Sequence, residues 1–482
     1  MDTPDFFRSR LDAMLDGQHP LVILADRMPW EALEEAFRQE RQATPVQEQV
    51  SEDLLGTRVQ RRGGHVSTAG RPALPVRLMV GLLYLKHAYN ESDEGVCARY
   101  AESPAWQYFC GQEYFEHRQP CDPTKLVQFR KQLSEAGAEE MLAKTIEAAV
   151  SMKAVNPADL EQVIVDTTVM EKAVAYPTDS RLLEVARHKL VKMAKQYGVT
   201  LKQTFAKEGK LLRLQAGRYA HAKQYKRMHK AIKRQRTIVG KLLRALQRRQ
   251  DVVSAQAEML SRIEKLLVQG RKDKNKIYAL HAPEVECLSK GKARQPYEFG
   301  VKASVAVTAK QGLVIGARTF PGNPYDGHTL EEQLQQTTIL LQDIPSAPRP
   351  KRALVDKGYR GVTIPGVEIL HPGKMRSMTP VQRKMMKRRS AVEPVIGHLK
   401  DDCRMRRCWL KGAMGDAIHA VLCAAGYNLR FLLRVIRIFC AWILWLSRVY
   451  QRVPLTQTRK LTGGTAWWSG PLYPVGYIKK FR

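Results

Sequence analysis

Two short apolar runs limit what this chain can fold into. Gln162–Val165 and Ala353–Val355 each read as a buried strand, and each runs directly into an aspartate, Asp166 and Asp356. They lie far apart in sequence, so the two acids can act together only if their strands are neighbours in one sheet. A third acid, Glu393, follows in the helix-like run RRSAVEPVIGHLK. Between the two runs lies the most biased segment of the chain. Arg181–Lys276 holds 27 Lys and Arg against 6 Asp and Glu, a net +21 out of +32 for the whole chain.

That imbalance says little about fold but much about partners. It favours nucleic acid or an anionic surface. Leucines recur at helical spacing (Leu242, Leu243, Leu246) and proline is absent, so the segment reads as a pair of long basic helices that contact phosphates. The ordinary alternative is a solvated helical face.

Around this insertion the chain alternates in type. Residues 1–150 read as a helical domain. Asp122-Pro123 opens one helix, Ser92 caps another, and Leu78, Leu82, Leu83 and Leu85 form a buried face. Residues 40–75 read as a polar loop. Residues 160–410 read as an α/β domain: a first strand, the basic insertion at 181–276, a hairpin of Phe299–Val307 with Leu313–Phe320, and a helix over Thr329–Leu341. Two short strands and the Glu393 helix complete it. The hairpin strand alternates apolar and polar residues, as a strand with one buried face would. Residues 411–482 read as further helix and an irregular tail.

Eight cysteines show no metal-ligand spacing and read as reduced thiols. The N-terminus has no apolar signal region, and the nine-residue run Ile438–Leu446 is shorter than the roughly 20 residues a membrane span needs. It reads as a core or interface helix. These features point to a cytoplasmic, nucleoid-associated protein with no membrane partner.

Three carboxylates on two strands and a helix suit a divalent-metal site for phosphoryl transfer, because Mg²⁺ prefers carboxylate oxygens. On a continuous helix, Arg389, Glu393 and Lys400 fall within about 40° of one another, placing a carboxylate between two cations. Pro394 interrupts that reading, and an i,i+4 salt bridge from Arg389 to Glu393 is the bland alternative. Lys357 and Arg360 are candidate phosphate contacts. Asp326 and His328 lie in a turn-rich loop that could hang over the site, with a helix N-cap by either as the preferred reading. His398 reads as structural, and Thr167 and Thr168 read either as residues that orient Asp166 or a water or as ordinary strand-end threonines.

Five stretches carry a family resemblance: VIVDTTVMEKAVAYPTDSRLL, KIYALHAPEVECLSKGKARQPYEFGVKASVA, GNPYDGHTL, ALVDKGYRG and RRSAVEPVIGHLKDDCRMRRCWLKGAMGDAIHAVLCAAGYNLR. In these the chain resembles bacterial insertion-sequence DDE transposases of the "insertion sequence five" family. The resemblance implies a ribonuclease-H-like mixed sheet flanked by helices, with Asp166, Asp356 and Glu393 as the catalytic, metal-binding triad. It implies Mg²⁺ as cofactor, with Mn²⁺ as a substitute. The partners it implies are double-stranded DNA, both terminal inverted repeats and target, and a second copy of the chain in a dimer. The family pattern Tyr-x2-Arg-x3-Glu-x6-Lys is matched by Arg389, Glu393 and Lys400, with Met386 where the tyrosine stands. The expected activity is cut-and-paste DNA transposition, with the N-terminal helices reading the element ends and the basic insertion clamping the backbone. The alternatives are a non-catalytic DNA-binding derivative and a stand-alone nuclease.

Overall fold

The computed structural model describes residues 9–43, 74–270, 272–273, 275–289, 296–346 and 348–452. Most of the polar 40–75 segment, and the C-terminal tail with Trp467 and Trp468, lie outside them. Residues to Leu433 form one compact unit, and Arg434 onward forms a second.

The chain begins with helices α1 (Leu11–Met14), α2 (Pro20–Arg27), α3 (Trp30–Ala43), α4 (Val76–Ala88), α5 (Asp93–Glu102), α6 (Pro104–Phe109), α7 (Pro123–Gln132) and α8 (Glu135–Ser151). Their starts follow from local chemistry. Ser92 accepts from Gly95 N, and Asp122 accepts from Thr124 N ahead of Pro123. Helix α4 is buried on every side, with Met79–Ala88 all enclosed, so it forms the centre of this bundle and not one face of it.

Strand β1 (Gln162–Lys172) leads into the basic insertion, which is four helices and not two: α9 (Asp179–Gln196), α10 (Ala206–His221), α11 (Tyr225–Gln247) and α12 (Gln250–Val268). The breaks carry no proline. Gly198, Phe205 and Lys223 turn the chain with positive φ, a signal that only the glycine announces in sequence. These helices share their own core, in which Leu183, Leu190, Ile238, Leu242, Leu246 and Ile263 are buried.

The sheet continues with β2 (Glu286–Ser289), β3 (Tyr297–Thr308) and β4 (Val314–Phe320), then α13 (Asp326–Leu340), β5 (Arg352–Leu354) and β6 (Glu368–Leu370). Helices α14 (Pro380–Met386) and α15 (Val392–Asp401), the two-residue β7 (Arg407–Cys408) and the long α16 (Gly412–Arg452) close the chain. Among the described residues the strands form one seven-stranded mixed sheet in the order β2-β3-β1-β5-β6, with β4 on β3 and β7 on β1. β1, β3 and β4 run as an antiparallel set, and β5 and β6 run parallel to β1.

The alternation seen in β3 does not translate into one wet face. The strand is central, and from Val301 to Thr308 every residue is buried. Its charged member, Lys302, must therefore find a partner inside the protein. The far edge of β4 is closed by side-chain amides in place of a strand. Asn428 of α16 accepts from Val314 N at 3.0 Å and donates to Val314 O at 2.8 Å. Gln336 of α13 makes the same pair of bonds to Ala317, at 3.0 and 3.1 Å. Both satisfy backbone groups that an open sheet edge would leave exposed.

Among the described residues no helix is long and apolar enough to cross a membrane. The run Ile438–Leu446 is not core. It lies in α16 beyond the first unit, with Ile438, Phe439, Trp442 and Trp445 exposed.

Candidate active site

The parallel pairing of β1 with β5 sets Ile164 against Leu354. Two residues further along each chain stand Asp166 and Asp356, so the register brings the two acids level on adjacent strands, whose usual spacing is about 4.8 Å. Asp166 is not at the end of its strand. β1 continues to Lys172, whereas β5 stops at Leu354 and frees Asp356 to cap the 3-10 turn Lys357–Tyr359. Asp356 Oδ1 accepts from Gly358 N at 2.7 Å, and Asp166 Oδ1 accepts from Thr167 N at 2.8 Å.

A further acid joins them. Asp326 is the first residue of α13, and Tyr325, not Asp326 or His328, occupies the cap position. The Asp326 carboxylate turns to the sheet, where Oδ1 accepts from Thr167 Oγ1 and from Lys302 Nζ, each at 2.9 Å. A Cβ on Gly358 would lie 2.9 Å from Asp356 Oδ1 and 3.0 Å from Asp326 Oδ2, so only glycine lets these two carboxylates close on the turn. Tyr359 is buried beneath them. Burial first, then the charges of Asp326, Asp166 and Asp356, push its phenol well above the usual value. One ring thus senses all three aspartates.

Glu393 enters from α15, with its side chain 64% exposed. Pro394 does not break the helix, because α15 begins at Val392 and the proline falls in the first turn, where no N–H is needed. Arg389 sits on the 3-10 turn just before it. Its guanidinium spans two of the acids, at 3.3 Å from Asp166 Oδ2 and 3.9 Å from Glu393 Oε1. Its Nε is buried without a hydrogen-bond partner. The expected i,i+4 contact is therefore one half of a bridge. Lys400 lies two turns along α15, half-buried; Lys357 and Arg360 are exposed on the turn after Asp356. Met386 is buried at the end of α14, and His398 pairs with Asp402 at 2.7 Å.

Pairwise contacts thus link four carboxylates (Asp166, Asp326, Asp356, Glu393) and two cations (Lys302, Arg389), although among the described residues no three of these acids bring ligand oxygens within 4.8 Å of one another. The local balance is two negative charges, in a chain of net +32. Hard oxygen donors with a deficit of two positive charges fit a divalent ion such as Mg²⁺. Lys302 was not legible as part of this site, and Asp326 was legible only as an overhanging loop residue whose preferred role was a helix cap. The available signal was Lys302 itself, the one charged residue between Phe299 and Val307.

A second cluster, which cysteine spacing did not foretell, joins α4 to α16. His87, His419 and Cys423 are buried, with candidate ligand atoms within 4.8 Å of one another. His87 Nδ1 meets Leu83 O at 2.9 Å and His419 Nε2 meets Arg404 O at 3.1 Å. A carbonyl only accepts, so both nitrogens carry protons. Burial, with added repulsion from Lys86 and Arg130, holds both imidazoles low, His419 at about 4. The rings are neutral packing groups.

Two family models match this chain. Residues 9–132 match the family "Transposase domain (DUF772)", and residues 269–429 match "Transposase DDE domain". The second match spans Asp326, Asp356, Arg389, Glu393 and Lys400. Asp166 lies between the two spans, cut off from the second by the basic insertion. A protein of Rhizobium meliloti described as "Uncharacterized protein ORF8 in nfe locus" is 42% identical over 221 residues, 46% of this chain and 95% of the relative. No solved structure matches. On both matched domains, the chain belongs to the insertion-sequence DDE transposases of the "insertion sequence five" type.

Proposed function

We propose that this protein is an active cut-and-paste transposase that cleaves DNA at the ends of its element and joins the freed ends to target DNA. The observation that carries the reading is the placement of Asp166 on β1 and of Asp356 just past the end of its parallel neighbour β5, with Arg389 bridging Asp166 to Glu393. The strand order, with an antiparallel set followed by two strands parallel to the first, supports a ribonuclease-H-like catalytic domain over residues 160–410. Residues 1–150 are assigned to end recognition, and α16 (Gly412–Arg452) forms a C-terminal helical extension.

Asp166, Asp356 and Glu393 would hold Mg²⁺, or Mn²⁺ in its place. Bound there, such an ion supplies an activated water and a stabilised leaving oxygen. The chain's own groups set the stage for it. Lys302 holds Asp326, Asp326 holds Thr167, and Thr167 N holds Asp166. That relay fixes the Asp166 carboxylate against β3. Arg389 keeps Asp166 and Glu393 from repelling one another before DNA arrives. Lys400, Lys357 and Arg360 flank the acids and would grip phosphates on either side of the scissile bond. The scissile phosphate and the joining 3′-hydroxyl are then aligned on one carboxylate face.

The test uses a supercoiled donor plasmid carrying the reading frame with its flanking DNA. The protein with Mg²⁺ is expected to cut at short inverted repeats on both sides and to join the freed 3′ ends to a second plasmid. Cutting of branched DNA with no dependence on the flanking repeats would replace the transposase by a structure-selective nuclease. Tight binding to the repeats with no cleavage in Mg²⁺ or Mn²⁺ would make it a binding protein.

A further inference from the structure

Within the basic insertion, the charges are sorted. Every acid between residues 181 and 276 has a partner. Glu184 pairs with Arg187, Glu208 with Arg234, Asp251 with Arg249, and Glu258 with Arg262. Glu264 accepts from Gln247, and Asp273 accepts from Gly270 N. Arg236 pairs with Asp179 just outside the segment, most of the other described cations have no ion pair, and on one helix such cations line up.

Along α11 and its C-cap, Lys226, Lys230, Lys233, Lys241, Arg244 and Arg248 are all exposed. At 100° per residue they fall within about 80° of arc. The opposite side of the helix, with Ala231, Gln235, Ile238, Val239, Leu242 and Leu246, is the buried face. The stripe therefore points away from the insertion's core. Among the described residues none of the six makes an ion pair. From Lys226 to Arg248 the stripe runs about 33 Å at 1.5 Å per residue, close to the roughly 34 Å of one turn of duplex DNA.

We propose that this stripe is a duplex-DNA docking surface, on which the six cations follow the phosphate backbone for about one helical turn without reading sequence. The residue types fit that role. Four of the six are lysines, point charges that hold phosphates. A row of like charges on an exposed helix is costly unless an anion meets it. The stripe lies outside the carboxylate cluster, so it would hold DNA beside the site and leave the chemistry to the acids. The inference rests on the transposase reading for the identity of the duplex as DNA.

The test is the salt dependence of binding to a duplex of unrelated sequence. Each phosphate contact contributes about 0.9 to the slope of log affinity against log salt. Replacing Lys230, Lys233 and Lys241 together by glutamine should lower the slope by about 2.7. Replacing the same three by arginine should leave it unchanged. A control triple, Lys310→Gln, Lys351→Gln and Arg249→Gln, removes cations already paired with Asp159, Glu161 and Asp251, and should leave the slope close to wild type. An unaltered slope in the stripe variant, an equal fall in the control, or a fall seen with duplex RNA and not DNA would overturn the proposal. Donor-plasmid cleavage by the wild-type protein is scored separately. Cleavage with an unchanged stripe slope rejects the stripe alone; a stripe-dependent slope without cleavage rejects the catalytic reading alone.

Discussion

Asp356→Asn is expected to lower strand cleavage and strand transfer by at least about three orders of magnitude while leaving binding to the element ends largely intact. The change keeps the shape of the side chain. Its amide oxygen can still accept from Gly358 N, so the 3-10 turn is retained. What is lost is one negative charge from a cluster whose balance is two. Without it, the donor set no longer matches a divalent ion. The check is a parallel gel shift and plasmid-cleavage assay. Asp356→Asn that cuts donor DNA with Mg²⁺ at the wild-type rate would remove Asp356 from the site.

The second large effect is on stability. Lys172 closes β1 with its side chain 6% exposed, between Asp416 of α16 at 2.6 Å and Glu284, just ahead of β2, at 2.9 Å. Asp416 is 2% exposed. Lys172→Met strands that carboxylate in the core, and losing one partner of a buried pair costs roughly 3–5 kcal/mol. Burial already pushes the Asp416 carboxyl above its ordinary value, with Lys172 opposing it. In the variant that opposition is gone. A carboxyl with a raised folded pKa destabilises only while it is ionised, so the deficit should shrink as pH falls toward the carboxylate range and be full at neutral pH. Lys172→Met combined with Asp416→Leu should recover much of the loss. Urea unfolding at two pH values measures this. A midpoint shift worth less than about 1 kcal/mol would show that the pair is not sealed from water.

How far the site was legible depended on what each residue must satisfy locally. Asp166 and Asp356 stood out because short apolar runs ending in an acid are hard to explain otherwise, and the parallel register did the rest. Glu393 was legible through its helix, and the doubt raised by Pro394 vanished once α15 was seen to begin two residues before it. Asp326 was ranked as a cap because an acid in a helix's first turn normally serves the helix. Here its carboxylate serves a lysine and a threonine on the sheet. Lys302 was missed for a related reason. Alternation along β3 read as one wet face, but a central strand has none. The helix count in the insertion failed because Phe205 and Lys223 take positive φ that their side chains do not advertise. The His87–His419–Cys423 cluster could not be seen at all, since it exists only where α16 packs on α4.

The account stands on the claim that Asp166, Asp356 and Glu393 hold one divalent-metal centre that cuts DNA. Its most direct test is Asp356→Cys on the donor plasmid, with Mg²⁺ and Mn²⁺ in parallel. A thiolate is a poor ligand for Mg²⁺ and a better one for the softer Mn²⁺. The account predicts cleavage with Mn²⁺ and none with Mg²⁺, where the wild-type protein cleaves with both. Cleavage by Asp356→Cys with Mg²⁺ at the wild-type rate would contradict it.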